Sequence, residues 1–357
     1  LMVYQAPRHN LKDGAHFSRE FIIMLLAIFL GIIAALFLSY FDYQVYTKFW
    51  PVIAVFCVII MLVLFKWGTG PSSRPDARTW LSIGPINFQP SELVKIGFII
   101  TFGVHLDKVK EKINNIFSIL QLGAHAAVPI VLVAATGDMG SALVFMVIAI
   151  VMMFVAGVHW GYFLGGIALV GAATPLIWTY VLKQLQKDRF LALIYPDLYP
   201  DIIYQQQRGL NAIGAGGITG QGLFKGAYTQ AGAVPESQND MIFSVVGEEL
   251  GFIGCITALL LIVLITVRII YVGKKSSEQS TNLICTGMAA MIIGQMIINV
   301  GMCLMLLPVI GITLPFFSAG GSSNLCVYLG IGIVMSIYRH NCDTGAVNIR
   351  VYDSLKK

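Results

Sequence analysis

Charge is scarce in this sequence. Only 11% of its 357 residues are Asp, Glu, Lys or Arg, and 57% are hydrophobic, whereas a soluble domain carries about 25% charged residues. That deficit excludes an ordinary water-soluble globule and leaves the membrane as the solvent. Disulfide chemistry is missing too. Cys57, Cys255, Cys285, Cys303 and Cys326 lie inside apolar runs, where cysteine acts as a small hydrophobe, and Cys342 stands alone near the end. The six histidines show no metal-ligand spacing. No glycine-rich stretch ends in the Gly-Lys-Ser/Thr of a phosphate-binding loop, so nothing points to a nucleotide site. No repeat is visible, no organic cofactor is expected, and no nucleic-acid partner is expected.

What is present is a series of long apolar runs, each near the roughly 20 residues a helix needs to cross a bilayer. Nine are read, at about 21–40, 49–67, 91–105, 117–135, 142–158, 161–182, 250–271, 283–306 and 323–338. Barrel strands would be shorter and would alternate, so the expected architecture is all-α: a polytopic bundle of transmembrane helices. One set of connections holds Lys48, Lys108, Lys110, Lys112, Arg268, Lys274, Lys275, Arg339, Arg350, Lys356 and Lys357. The positive-inside rule assigns that dense set, and the C-terminus, to the cytoplasm. Segment 183–249 and the N-terminus then fall outside. Residues 1–20 carry Arg8, Lys12 and Arg19 and no cleavable signal. A charged segment of this kind is awkward to translocate alone, so a further apolar span is expected before Leu1, packed on an apolar flank of helix 21–40.

Segment 183–249 reads as one large extracytoplasmic loop within a single domain of 1–357, with eight glycines between Gly209 and Gly232. A loop of that length is usually functional. Charges near the membrane are costly to keep, about 2.5–3.5 kcal/mol each at a helix centre, which makes three places informative. Glu92 and Lys95 share one helix face after Pro90, either as a dipole-complementing pair or as a cation facing a cavity. Asp138 opens Asp-Met-Gly-Ser, ordinarily a tight turn. Asp240 stands where a helix begins, with Glu248 and Glu249 following. N-capping and a solvated turn compete there with acid/base chemistry on a sugar hydroxyl, and spacing alone leaves both open.

The order and wording of these segments resemble the SEDS family of polytopic cell-wall polymerases, which includes RodA, FtsW and SpoVE. The resemblance rests on Ala77-Arg78-Thr79-Trp80-Leu81, Phe88-Gln89-Pro90-Ser91-Glu92, Asp138-Met139-Gly140-Ser141 and the glycine run from Ala212 to Gly222. It continues through Asp240-Met241-Ile242-Phe243, Glu248-Glu249-Leu250-Gly251, Asn299-Val300-Gly301, Leu307-Pro308 and Leu314-Pro315 to Gly320-Gly321-Ser322. Ala319, Arg208-Gly209 and Gly137 depart from residues usual in the family. The family has ten spans with a cytoplasmic start, one more than is visible here.

The resemblance implies a peptidoglycan glycosyltransferase in the bacterial cytoplasmic membrane, with its active site on the outer side. It would join units of lipid II and release undecaprenyl pyrophosphate. Asp240 matches the family's essential aspartate and is expected to be the general base. The cations expected to meet the leaving pyrophosphate are Lys95, Arg78, Arg189 and Arg208, Lys95 and Arg78 foremost. Trp80, Ser318 and Ser322 are expected to line the substrate site, and Glu248 and Glu249 to position the acceptor or support the helix. A divalent cation, Mg or Mn, could share the charge stabilisation, with Asp138 or Glu92 as ligands. The implied partner is a class B penicillin-binding protein, a transpeptidase, alongside membrane lipid. Two other readings use the same residues: a transporter that flips lipid II, and a scaffold for the transpeptidase.

Overall fold

The computed structural model describes residues 19–70, 77–84 and 86–355. Arg8, Lys12, Lys356 and Lys357, and the approach of any span preceding Leu1, lie outside the described residues. So do the side chains of Arg19, Cys342 and Arg350.

The chain is helical almost throughout. In order it forms α1 (Arg19–Tyr40), α2 (Tyr43–Lys48), α3 (Trp50–Trp67), a hairpin of β1 (Leu81–Ile83) and β2 (Ile86–Phe88), α4 (Pro90–Lys108), α5 (Ile116–Ala135), α6 (Met139–Val155) and α7 (Trp160–Leu176). Then come α8 (Gln184–Ile194), α9 (Pro200–Gly216), α10 (Ala227–Gln230), α11 (Ile242–Lys275), α12 (Gln279–Cys303) and α13 (Gly321–Leu355). Helix starts follow local chemistry. Asn115, Asp138 and His159 each cap a following helix by accepting from a backbone amide, and Pro90 occupies the first turn of α4, where a missing N–H does no harm.

Helices stand at all nine expected positions. Among the described residues seven are long and apolar enough to cross a membrane. α6, with 17 residues, is shorter, and α4 carries Glu92, Lys95, Asp107 and Lys108. The burial pattern suits a lipid solvent. α7 has no buried residue, and on α1 Leu25, Leu26, Phe29, Leu30, Ile33 and Phe37 are exposed. In water such a surface would aggregate; in hydrocarbon it is the ordinary exterior.

The long segment 183–249 is not irregular throughout. Nearly half of it is helical, in α8, α9 and α10. α9 buries Ile203, Gln206, Gly209, Ala212 and Gly216, spaced by three and four along one face. Small and polar residues occupy that stripe, which hides the helical period from a reading by hydrophobicity.

The chain divides into two compact units: Leu1–Ile23, Val158–Ile262 and Gln295–Gly320 in one, Met24–Gly157, Val263–Gly294 and Gly321–Lys357 in the other.

Candidate functional site

In the first unit, Asp240 lies in the turn immediately before α11 and is half-buried. Its surroundings hold the backbone at three consecutive carbonyls. Ala319 N donates to Gln238 O at 2.9 Å, Ser318 Oγ donates to Asn239 O at 2.8 Å, and Asn299 Nδ2 donates to Asp240 O at 2.8 Å. Asn299 Nδ2 also donates to Ile312 O at 2.7 Å. Ser318 Oγ also accepts from Leu314 N at 2.7 Å, so its hydroxyl serves this scaffold. Carbonyls left without partners in such a place would be costly. Asn299 is a positioning residue that the sequence reading named only as part of a resemblance block, without a role. The signal was there, as a fully buried amide inside an apolar helix.

Glu248 and Glu249 behave differently from Asp240. Glu248 is fully buried. Its carboxylate accepts from Tyr228 N at 2.6 Å, from Thr229 N at 2.9 Å and from Thr229 Oγ1 at 2.5 Å. It thus takes the amides that open α10, the role a capping carboxylate plays. Glu249, 1% exposed, accepts from Gln230 Nε2 at 3.4 Å. Both side chains face α10 and hold it.

The glycine run acquires a purpose beside them. At Gly251 the backbone leaves helical geometry, with φ 69° and ψ −165°, a region essentially restricted to glycine. The break frees carbonyls and amides that the glycine run then pairs. Gln221 N and Gly222 N donate to Glu248 O and Glu249 O, both at 3.0 Å, while Phe252 N and Ile253 N donate to Gly217 O and Ile218 O at 2.9 and 3.2 Å. The approach tolerates no side chain: a Cβ on Gly251 would stand 2.3 Å from Gly220 N, and one on Gly220 2.2 Å from Glu249 O. Two stretches that read as separate motifs form one splice.

Two of the expected cations also lie in this unit. Arg189 Nη1 donates to Val309 O at 2.7 Å, and the Arg208 guanidinium sits 5.1 Å from the Tyr204 ring centre.

In the second unit, the Gln89-Pro90-Ser91 stretch and the Asp138 turn are likewise one cluster. Asp138 Oδ1 accepts from Ser141 N at 3.0 Å, and Oδ2 accepts from Gln89 Nε2 at 2.8 Å and from Ser91 Oγ at 3.0 Å. Ser322 Oγ accepts from Gln89 N at 3.1 Å. Trp80 is half-buried and pairs its backbone with Thr69. Arg78 is exposed and donates through Nη1 to Phe65 O, leaving most of the five guanidinium donors for other work.

Lys95 and Glu92 form an ion pair at 2.7 Å with side chains 0% and 5% exposed. Of the two readings of this pair, the paired one holds: the ammonium faces Glu92, away from solvent. Glu92 and Asp138 therefore both have engaged carboxylates, and neither fits the role of metal ligand as placed. Among the described residues, no group of three or more His, Cys, Asp or Glu could hold a metal ion.

A multi-pass helical membrane protein, with buried polar clusters in each of two units, is what the fold and these sites define. Residues 1–343 match the FTSW_RODA_SPOVE family, described as cell cycle protein. The chain belongs to that family. It is 31% identical over 348 residues to the probable peptidoglycan glycosyltransferase FtsW of Geobacter sp. (strain M18), covering 94% of this chain and 92% of that one. It is 28% identical over 316 residues to the peptidoglycan glycosyltransferase MrdB of Escherichia coli (strain K12), covering 88% and 84%. Among solved structures, it resembles a chain from work on the structural coordination of polymerization and crosslinking by a peptidoglycan synthase complex, with TM-score 0.77 and 26% identity over 90% of this chain and 89% of that one. It also shares the fold of the rod shape determining protein RodA of Thermus thermophilus, with TM-score 0.69 and 23% identity, covering 95% and 93%. The chain is accordingly a multi-pass bacterial membrane protein.

Proposed function

We infer that this protein is a peptidoglycan glycosyltransferase that polymerises lipid II on the outer side of the bacterial membrane. Its relatives carry that enzymatic name. The observation that carries the chemical assignment is the setting of Asp240. Of the three carboxylates at 240, 248 and 249, two are buried against α10, whereas Asp240 keeps solvent exposure on a backbone held at three successive carbonyls. Pre-organisation of that kind is what a general base needs.

In the step we assign to it, the Asp240 carboxylate takes the proton of the acceptor sugar's 4-hydroxyl as that oxygen attacks C1 of the donor sugar. The C1–O bond to the pyrophosphate breaks, and lipid pyrophosphate departs with the electron pair. Direct displacement inverts the α-linked anomeric carbon to a β linkage. Cations stabilise the departing charge. The resemblance puts Lys95 and Arg78 foremost among these cations; Arg78 is exposed, and the Lys95 ammonium is enclosed with Glu92. Ser318 and Ser322 act as positioning residues through their backbone bonds. A class B penicillin-binding protein is the proposed partner, by analogy with the synthase complex that the chain resembles.

The test is Asp240→Asn in purified protein supplied with lipid II, with and without the transpeptidase. The substitution keeps size and hydrogen-bonding reach but removes basicity. Glycan polymerisation should vanish while the melting temperature holds. Full polymerisation by the variant would remove the general-base assignment, and absence of polymerisation by the parent protein with its partner would remove the enzyme.

A further inference from the structure

Between the end of α11 and α13 lies a groove of about 440 Å³ that belongs to none of the clusters above. α11 contributes Leu264, Ile265 and Val272, and α13 contributes Ile331, Val334 and Met335. These recur at three to four and seven to eight residues, so each helix turns one apolar face toward the groove. A groove this apolar is filled by hydrocarbon in a membrane, because an empty one forfeits dispersion contacts on every wall.

The groove is not apolar throughout. Arg268 lines it, as does Tyr338. The Arg268 guanidinium stands 5.2 Å from the Tyr271 ring centre and 5.5 Å from that of Tyr338. Two rings thus set its position without neutralising it. Lys275 Nζ lies 4.8 Å from the Tyr271 ring, and Lys274 adjoins it in sequence. Counted from Gly251, Arg268 falls in the last turn of the about 20 residues that cross a hydrocarbon core, from which its long side chain reaches the headgroup level. The Lys/Arg balance assigns that end to the cytoplasm.

We propose that this groove binds an anionic phospholipid, one acyl chain between α11 and α13 and its phosphate on Arg268. Charge complementarity selects an anionic over a zwitterionic lipid, since Arg268, Lys274 and Lys275 gather at one end. A slim acyl chain can lie along a groove walled on both sides by aliphatic side chains.

Native mass spectrometry of the detergent-purified protein tests this, with added phosphatidylglycerol or phosphatidylcholine of matched chains. Phosphatidylglycerol should be retained in preference. Arg268→Gln should weaken its retention about fivefold and leave phosphatidylcholine unchanged. Lys108→Gln removes the same charge away from the groove and should change neither. Val334→Trp should fill the groove and release both lipids; a melting temperature equal to the parent's shows that each variant is folded. Equal retention of the two lipids, or equal effects of Arg268→Gln and Lys108→Gln, would overturn the proposal. So would a Val334→Trp variant that is folded and still binds, or occupation of the groove by a partner's transmembrane helix with lipid retention indifferent to Arg268.

Discussion

Replacing Glu248 by Gln separates a carboxylate that builds the protein from one that handles substrate. In the parent, Oε1 accepts from Tyr228 N, and Oε2 accepts from Thr229 N and Thr229 Oγ1. A carboxamide can keep its oxygen at one of these places only. With the oxygen facing Thr229, the NH₂ group meets the Tyr228 N–H, donor against donor. One charge-assisted bond is then lost, about 1.5–3 kcal/mol, and a buried donor is left unsatisfied, about 1–3 kcal/mol. The two bonds that remain weaken as the charge disappears. Removing a buried charge offsets part of this, so the net loss should be about 2–4 kcal/mol of unfolding free energy. Reversible denaturation in detergent measures it, with lipid II polymerisation per folded molecule recorded alongside. Glu248→Gln should lose stability, and its folded fraction should retain activity. Coupling with Thr229→Val should reach about 0.5–3 kcal/mol in a double-mutant cycle. A variant within about 0.5 kcal/mol of the parent that has lost polymerisation would refute the structural role and move Glu248 to the substrate.

Other outcomes follow from the same contacts. Lys95→Met should cost about 3–5 kcal/mol by stranding the buried Glu92 carboxylate, and adding Glu92→Gln should recover much of it. Strictly additive effects on unfolding would show that the pair does not interact. Gly251→Ala should destabilise by at least about 1–3 kcal/mol from backbone strain alone, with the Gly220 clash added. Gly166→Ala, on α7 with no atom near its would-be Cβ, should be neutral or stabilise by up to about 1 kcal/mol; equal unfolding midpoints for the two would contradict the splice. Asn299→Leu should free the Asp240 backbone and lower the polymerisation rate on the order of 10²-fold, and an unchanged rate in folded protein would show that this anchor does not position the base.

Hydropathy and charge were enough for the membrane class, the helical architecture and the position of the seven helices that, among the described residues, are long and apolar enough to cross a membrane. Each rests on free energies that accumulate along a local stretch, such as the roughly 20 apolar residues of α1 or the dense lysines and arginines at the ends of α4 and α11. The blocks around Asp138, Asp240 and Gly251 were also visible as costly residues, and their wording pointed to the family. What each residue does was not local. Glu92 and Lys95 could pair or face a cavity at the same spacing, and only enclosure of the side chains distinguishes the two. Segment 183–249 looked like a loop because α9 buries Gln206, Gly209 and Gly216, residues that carry no hydrophobic signal. Gln206 is at home there because Nε2 meets Met302 O and Leu307 O, each at 2.8 Å, across nearly a hundred residues of chain. Asp240, Glu248 and Glu249 are carboxylates within ten residues, and spacing alone left capping and acid/base chemistry open for them. Tertiary contact assigns the last two to α10 and leaves Asp240 half-exposed. A carboxylate's role depends on which donors reach it, and those donors arrive from distant turns of the chain.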